Sequence, residues 1–244
     1  MEFQFFLFFF YSFLILLSTL GYGLVFQNIF LKNNNYLNLS IVGFFGLLSL
    51  YLVSSITHLF VPHNFNHNIL IHLIGISSFY LFKKRATHEE LKIIIIFFLL
   101  LFLGFVISKT NEDFGYYHLP MSLQIAQEKL QFGLGNINIA YNHFSSLFHI
   151  NSLFYLPEIN FYLFNLTNFL FQIFFFSGLI LLLKEKKNPN FIVILASLIF
   201  ILYITKFNRL SEYGADLGGQ LLAILSFVFC STAYFERKKL NKEN

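Results

Sequence analysis

Two adjacent carboxylates, Glu112 and Asp113, open a polar segment that runs from Asn111 to Pro120, with Tyr116, Tyr117 and His118 following closely. A carboxylate partly shielded from water acquires a raised pKa and can take a proton from a hydroxyl, or it can hold a divalent cation. On an extended or loop backbone adjacent side chains point apart, so the two acids do not share one job. Gly115 permits a tight turn that brings the phenols and the imidazole back towards the carboxylate. The same residues also have a plainer use, solvating a helix end and marking a membrane interface.

A second polar constellation runs from Lys206 through Arg209 and Glu212 to Asp216. The natural partner of an arginine on an otherwise cation-poor face is a phosphate. Arg209 is also within reach of Glu212 or Asp216 for a local ion pair, and the residue types favour neither use. Histidine is the third signal. His58, His63, His67, His72, His118, His143 and His149 fall on one face of the chain's expected topology, with His88 alone on the other. Their spacing matches no zinc-binding pattern, which favours interfacial hydrogen bonding over a metal site. The sequence shows no phosphate-binding glycine loop, no serine-nucleophile motif and no nucleic-acid-binding pattern.

The elements that position these groups are apolar. Of 244 residues, 57% are hydrophobic and 11% charged, against about 25% charged in an ordinary soluble domain. Mean hydropathy is +0.67. Seven stretches approach the roughly 20 residues that cross a bilayer: about 3 to 26, 39 to 61, 68 to 82, 91 to 108, 160 to 183, 190 to 205 and 217 to 235. Continuous apolar runs satisfy their backbone as helices, not as barrel strands. The expectation is an all-α, polytopic transmembrane bundle forming one membrane domain. Its single cysteine, Cys230, lies inside an apolar run and excludes an intrachain disulfide. No cleavable signal peptide is expected, because the first apolar run is long and follows Glu2 with no basic residue before it.

Orientation follows from the basic residues. With Lys83 to Glu90 in the cytoplasm, strict alternation leaves only Lys109, Lys129, Lys206 and Arg209 of the 16 Lys and Arg outside. That places the N-terminus outside, the C-terminus inside, and the long loop 109–159 on the outer face. Lys83 to Lys92 and Lys184 to Lys187 then read as topology determinants beside anionic headgroups. After Pro120, the recurrence of Leu119, Leu123, Ala126 and Leu130 predicts a short amphipathic helix ended by Gly133 and Gly135. Phe144, Leu147, Phe148 and Phe154 predict a second, and both suit the outer membrane interface.

An acidic motif opening an external loop, followed by Tyr-His-Leu-Pro and an amphipathic helix (Glu112 to Gln131), resembles the first external loop of GT-C type membrane glycosyltransferases. The mannosyltransferase-like and aminoarabinose-transferase-like branches are included in that likeness. More narrowly, Asn111 to Asn151 and Arg209 to Gly219 resemble uncharacterised bacterial membrane proteins associated with surface polysaccharide synthesis. The resemblance implies a protein of the bacterial inner membrane that transfers a sugar from a polyprenyl-phosphate carrier to a glycan or lipid acceptor on the non-cytoplasmic side. It makes Asp113 the general base, with Glu112 its neighbour in the paired-acid motif. Tyr117, His118, Arg209, Glu212 and Asp216 are the expected substrate-binding residues, with Arg209 on the phosphate. A divalent cation is compatible with such a site. The chain departs from the familiar pattern in placing its acidic loop after the fourth apolar stretch instead of the first, with three stretches following. Either three helices precede the usual core or the chain is a truncated relative. The rival expectation is a non-catalytic carrier, flippase or assembly component of polysaccharide export, with no nucleic-acid partner in either case.

Overall fold

The computed structural model describes residues 2–31, 37–107, 113–143, 145–185, 188–205 and 216–243, the backbone alone for residue 2 and for 236–243. Each of the seven apolar stretches is a helix: α1 (Glu2–Phe30), α2 (Leu39–His58), α3 (Phe65–Phe82), α4 (His88–Val106), α7 (Leu166–Lys184), α8 (Asn190–Ile204) and α9 (Asp216–Glu243). Two short helices, α5 (Leu119–Gln127) and α6 (Ser146–Leu153), lie in the long loop between α4 and α7. The only β-pairing among the described residues is one bridge, Leu156 to Asn160. The protein is an all-α helical bundle.

Four helical segments, Phe3–Phe30, Leu39–His58, Phe161–Lys184 and Asp216–Phe235, are long and apolar enough to cross a membrane. The third of these forms the centre of the bundle, with 83% of its apolar window buried. Leucine is as apolar as lipid, so helices in a bilayer associate through close packing and polar contacts. Both devices are visible. A Cβ on Gly21 would collide with the carbonyl of Gly75, and one on Gly46 with the carbonyl of Thr19, so α1 meets α2 and α3 backbone to backbone. The Ser40 hydroxyl donates to the Phe174 carbonyl and ties α2 to α7. Phe8 stacks on Phe105, and Phe9 and Phe102 meet edge to face, joining α1 to α4.

Helix starts are set by polar caps. Asn38 and Asn64 accept from Ile41 N and His67 N, at 3.0 and 3.1 Å. Thr87 and Glu90 form a reciprocal capping box, so α4 begins three residues before the apolar run does. At the basic end of the bundle, exposed Lys184 pairs with Glu89 at 2.6 Å.

The loop segment 113–165 is packed onto the opposite end of the bundle. Helix α6 is buried from Leu147 to Leu153. Helix α5 buries Met121, Ser122, Ile125 and Ala126; of the expected stripe Leu119, Leu123, Ala126 and Leu130, Ala126 is fully buried and Leu119 and Leu123 are half-buried against the core, so the buried face is wider than the stripe and centred to one side of it. The shift has a cause in packing: Met121 and Ile125 close on Phe148 of α6, and Leu130 lies beyond the helix end, exposed.

Candidate functional site

The polar residues of the loop fall into two groups, and local geometry builds the first. Phe114 to His118 form one π-helical turn that runs directly into α5, with Pro120 in its first turn. The tight turn expected at Gly115 is therefore absent: Gly115 lies inside a wide helical turn, with open space where a Cβ would be. Helical winding still brings Asp113 and Tyr117, four residues apart, onto one face. Such π-turns recur at functional sites, because they re-aim side chains at the expense of regular bonding.

Asp113, Tyr116, Tyr117, Ile139, Ala140 and His143 line an open cleft of about 350 Å³. Partial burial, then the negative charges of Asp113 and Asp216, push the Tyr117 phenol upward in pKa. The first residue of α9 thus lies close enough to Tyr117 for its carboxylate to be felt there. Tyr117 stays protonated at neutral pH and keeps a hydroxyl proton to donate. His118 turns the other way, buried against Phe148 with ring centres 5.4 Å apart. Glu112, Arg209 and Glu212 lie outside the described residues. Of the expected site residues, Asp113 and Tyr117 share the cleft, Asp216 acts on Tyr117 only through its charge, and His118 is buried in the packing against Phe148. His143 joins the cleft, and the only signal for it in the sequence was membership of the histidine set.

Long-range packing builds the second group. His58 ends α2, His63 lies in the connection to α3, His67 is in the first turn of α3, and His149 is on α6. Ring centres are 5.3 Å apart for His58–His63, 5.4 Å for His58–His149 and 4.7 Å for the stacked His63–His67 pair. Hydroxyls separate the imidazoles. His63 Nδ1 lies 2.7 Å from Ser152 Oγ and its Nε2 3.2 Å from Thr57 Oγ1, while Ser54 Oγ donates to the His149 carbonyl at 2.7 Å. Asn68, fully buried, donates to the carbonyls of His63, Ser152 and Tyr155 at 2.8, 2.8 and 2.9 Å. Burial, reinforced by the neighbouring imidazoles, holds His63 down to about 2 and His149 to about 4. These rings are neutral across the physiological range. Among the described residues no three His, Cys, Asp or Glu side chains are set to hold a metal ion.

A third feature lies at the same end. Phe5, Phe8, Phe105, Val106 and Ile159 wall a largely apolar groove of about 390 Å³, with Gln4, Glu158, Tyr162 and Asn165 supplying its polar positions. The turn that carries Glu158 is strained, with positive φ at Glu158 (66°) and Asn160 (52°).

Fold and site together define a helical membrane protein whose polar side chains gather on a loop packed over one end of its bundle. The chain belongs to the family described as Domain of unknown function (DUF8201), whose model matches residues 5–244. No curated protein and no solved structure matches it.

Proposed function

We propose that this protein transfers a sugar from a lipid-phosphate carrier to an acceptor on the non-cytoplasmic face of a bacterial inner membrane, in surface polysaccharide or lipid modification. In this reading the loop-bearing end faces outward, the N-terminus is outside and the C-terminus cytoplasmic. The observation that carries it is the Asp113–Tyr117–His143 cleft, a carboxylate beside a protonated phenol in an opening large enough for a sugar hydroxyl.

Asp113 accepts the proton of the acceptor hydroxyl as that oxygen forms its bond to the anomeric carbon. The bond from that carbon to the carrier phosphate breaks, and its electron pair leaves on the phosphate oxygen. Tyr117 and His143 hold the acceptor, and the Asp216 carboxylate orients it through the same phenol. Arg209, with Glu212 orienting it, neutralises the leaving phosphate. The groove beside Phe8 and Phe105 provides an apolar path for the lipid chain at the same end of the bundle. No step is routed through a metal ion.

The test uses the full chain in lipid nanodiscs, supplied with undecaprenyl-phosphate-linked hexoses, with released undecaprenyl phosphate measured by mass spectrometry. Asp113→Asn is expected to lower transfer by about 100-fold or more, the scale of a lost general base. A rate within about threefold of wild type overturns the assignment of the base.

One observation favours a second reading. Asp113 is exposed to solvent, which suits glycan binding by a non-catalytic export component as well as it suits chemistry. Glycan binding with no release of carrier phosphate in the same assay selects that reading.

A further inference from the structure

We infer that a second cavity at the loop-bearing end is a binding site for a neutral saccharide. It has a volume of about 240 Å³ and lies between α5, the segment after it, Tyr141, and a floor made by His58 and His149. The inference rests on the proposed function for what the sugar is used for, and on the cavity's own chemistry for the binding.

The His58 tautomer is the starting point. Its Nε2 lies 3.2 Å from the Glu128 carbonyl, which can only accept, so Nε2 carries the proton. In a neutral ring Nδ1 is then a bare acceptor, and it is buried with no hydrogen-bond partner among the described residues. The side chain is only 5% exposed. An unmet acceptor in a buried imidazole is a standing cost, and the ring that carries it forms part of the cavity floor.

The rest of the wall fits the same ligand class. Gln124 and Gln131 line the cavity, and the 2.7 Å bond from Gln124 Nε2 to Gln131 Oε1 fixes its rim. Each amide keeps further donor and acceptor capacity for a sugar. Tyr141 offers a ring face, and Met121, Ile125, Leu130 and Leu134 offer apolar surface for the C–H side of a pyranose. Among the described residues the only cation in the lining is Lys129, and no carboxylate lines it. A phosphate site gathers several charged or N–H donors around one group, whereas a mix of neutral acceptors, amides and one aromatic ring suits hydroxyls.

The cavity is also placed to serve the cleft. Residues Ile139–Asn142 form one 3-10 turn, and Ala140 lines the Asp113 cleft while Tyr141 lines the histidine-floored cavity. One short segment therefore borders both the cavity and the cleft that holds the proposed base.

The experiment is saturation-transfer NMR on the full chain in nanodiscs. Its probes are the methyl glycosides of glucose, galactose, mannose and N-acetylglucosamine, with inorganic phosphate as the anion control. At least one glycoside is expected to bind. His58→Phe should abolish that signal, and Gln131→Ala, at an exposed rim position that leaves the fold intact, should weaken it by about tenfold, the scale of one lost hydrogen bond. Absence of signal from all four glycosides, a signal that Gln131→Ala leaves unchanged, or displacement of the glycoside by phosphate each overturns the inference. Asp113→Asn should retain glycoside binding. If that variant loses transfer while no glycoside binds wild type, this inference falls and the proposed function stands. If glycosides bind while Asp113→Asn keeps full transfer, the proposed base falls and the saccharide site stands.

Discussion

Asp113 and Tyr117 are four residues apart on one helical turn, whereas the histidine cluster takes its members from α2, the α2–α3 connection, α3 and α6. Its hydrogen-bonded pair Ser54 and His149 are 95 residues apart. Both groups sit at the loop-bearing end of the bundle. The cleft is open, its acids are exposed, and nothing in the core depends on them. The histidine cluster is buried, hydroxyl-linked and shared among four elements, so it holds the loop to the bundle while it floors a cavity. Under the proposed function the two have different duties: chemistry by exposed, locally positioned groups, and placement of that chemistry by buried, non-local ones.

The largest effect is expected at Asn68. Its amide donates to three carbonyls at the junction of α3 and α6, of which the Ser152 carbonyl also accepts from the backbone, and each buried acceptor left unpaired costs about 1–3 kcal/mol. Asn68→Ala should therefore destabilise the fold by roughly 2–4 kcal/mol. Thermal unfolding in detergent is the measurement, with Asp113→Asn alongside as a change at an exposed position expected within about 0.5 kcal/mol of wild type. Equal shifts for the two variants would erase the distinction between cluster and cleft.

Acid should separate the two regions next. His63 and His149 have folded pKa values of about 2 and about 4, below the ordinary 6.5, so the unfolded chain binds more protons between these limits. Their contribution to stability is fully present above 6.5. It is lost as pH falls from there through about 4 for His149 and on towards about 2 for His63. Among the described residues no carboxylate acts on either ring, so none of them offsets the loss. Unfolding temperatures taken from about pH 7.5 to about pH 4.5 should drop, and His149→Gln should flatten the lower part of that curve. A wild-type protein as stable at the acid end as at neutrality would contradict burial of these rings in the neutral form.

The two regions also differ in how far the amino-acid order reveals them. All seven long helices were legible from apolar run length, and their ends were misplaced where polar caps intervened. Asn64 starts α3 at Phe65, and the Thr87–Glu90 box starts α4 at His88, in each case before the apolar run begins. Helix α7 starts later than its apolar run, because the strained turn at Glu158 and Asn160 occupies the first residues. The approach of Tyr117 to Asp113 was legible because it is local. The histidines could be assigned to one face by counting spans, but nothing in their spacing announced that four of them converge. That convergence depends on α6 being drawn against α2, a consequence of packing between segments almost a hundred residues apart. On α5 the burial of Ala126 was legible, and that of Met121 and Ile125 was not, since their partner Phe148 is supplied by α6.

The smallest effect is expected at Gly115, where the cleft's local construction can be checked directly. A glycine there suggested a tight turn, which would use a backbone conformation that other residues adopt only at a cost. In the π-helical turn Gly115 has no positive φ, and an added methyl meets nothing. Alanine loses less backbone entropy than glycine on folding, so Gly115→Ala should stabilise the protein by about 0.5–1 kcal/mol. Asp113 and Tyr117 keep their four-residue spacing in that variant, so sugar transfer should stay within about twofold of wild type. Unfolding temperature and the carrier-phosphate assay read the two outcomes separately. A loss of stability beyond about 1 kcal/mol would mean that the chain does make a turn only glycine tolerates. Asp113 and Tyr117 would then owe their proximity to that turn, and the cleft would no longer be a product of helical winding alone.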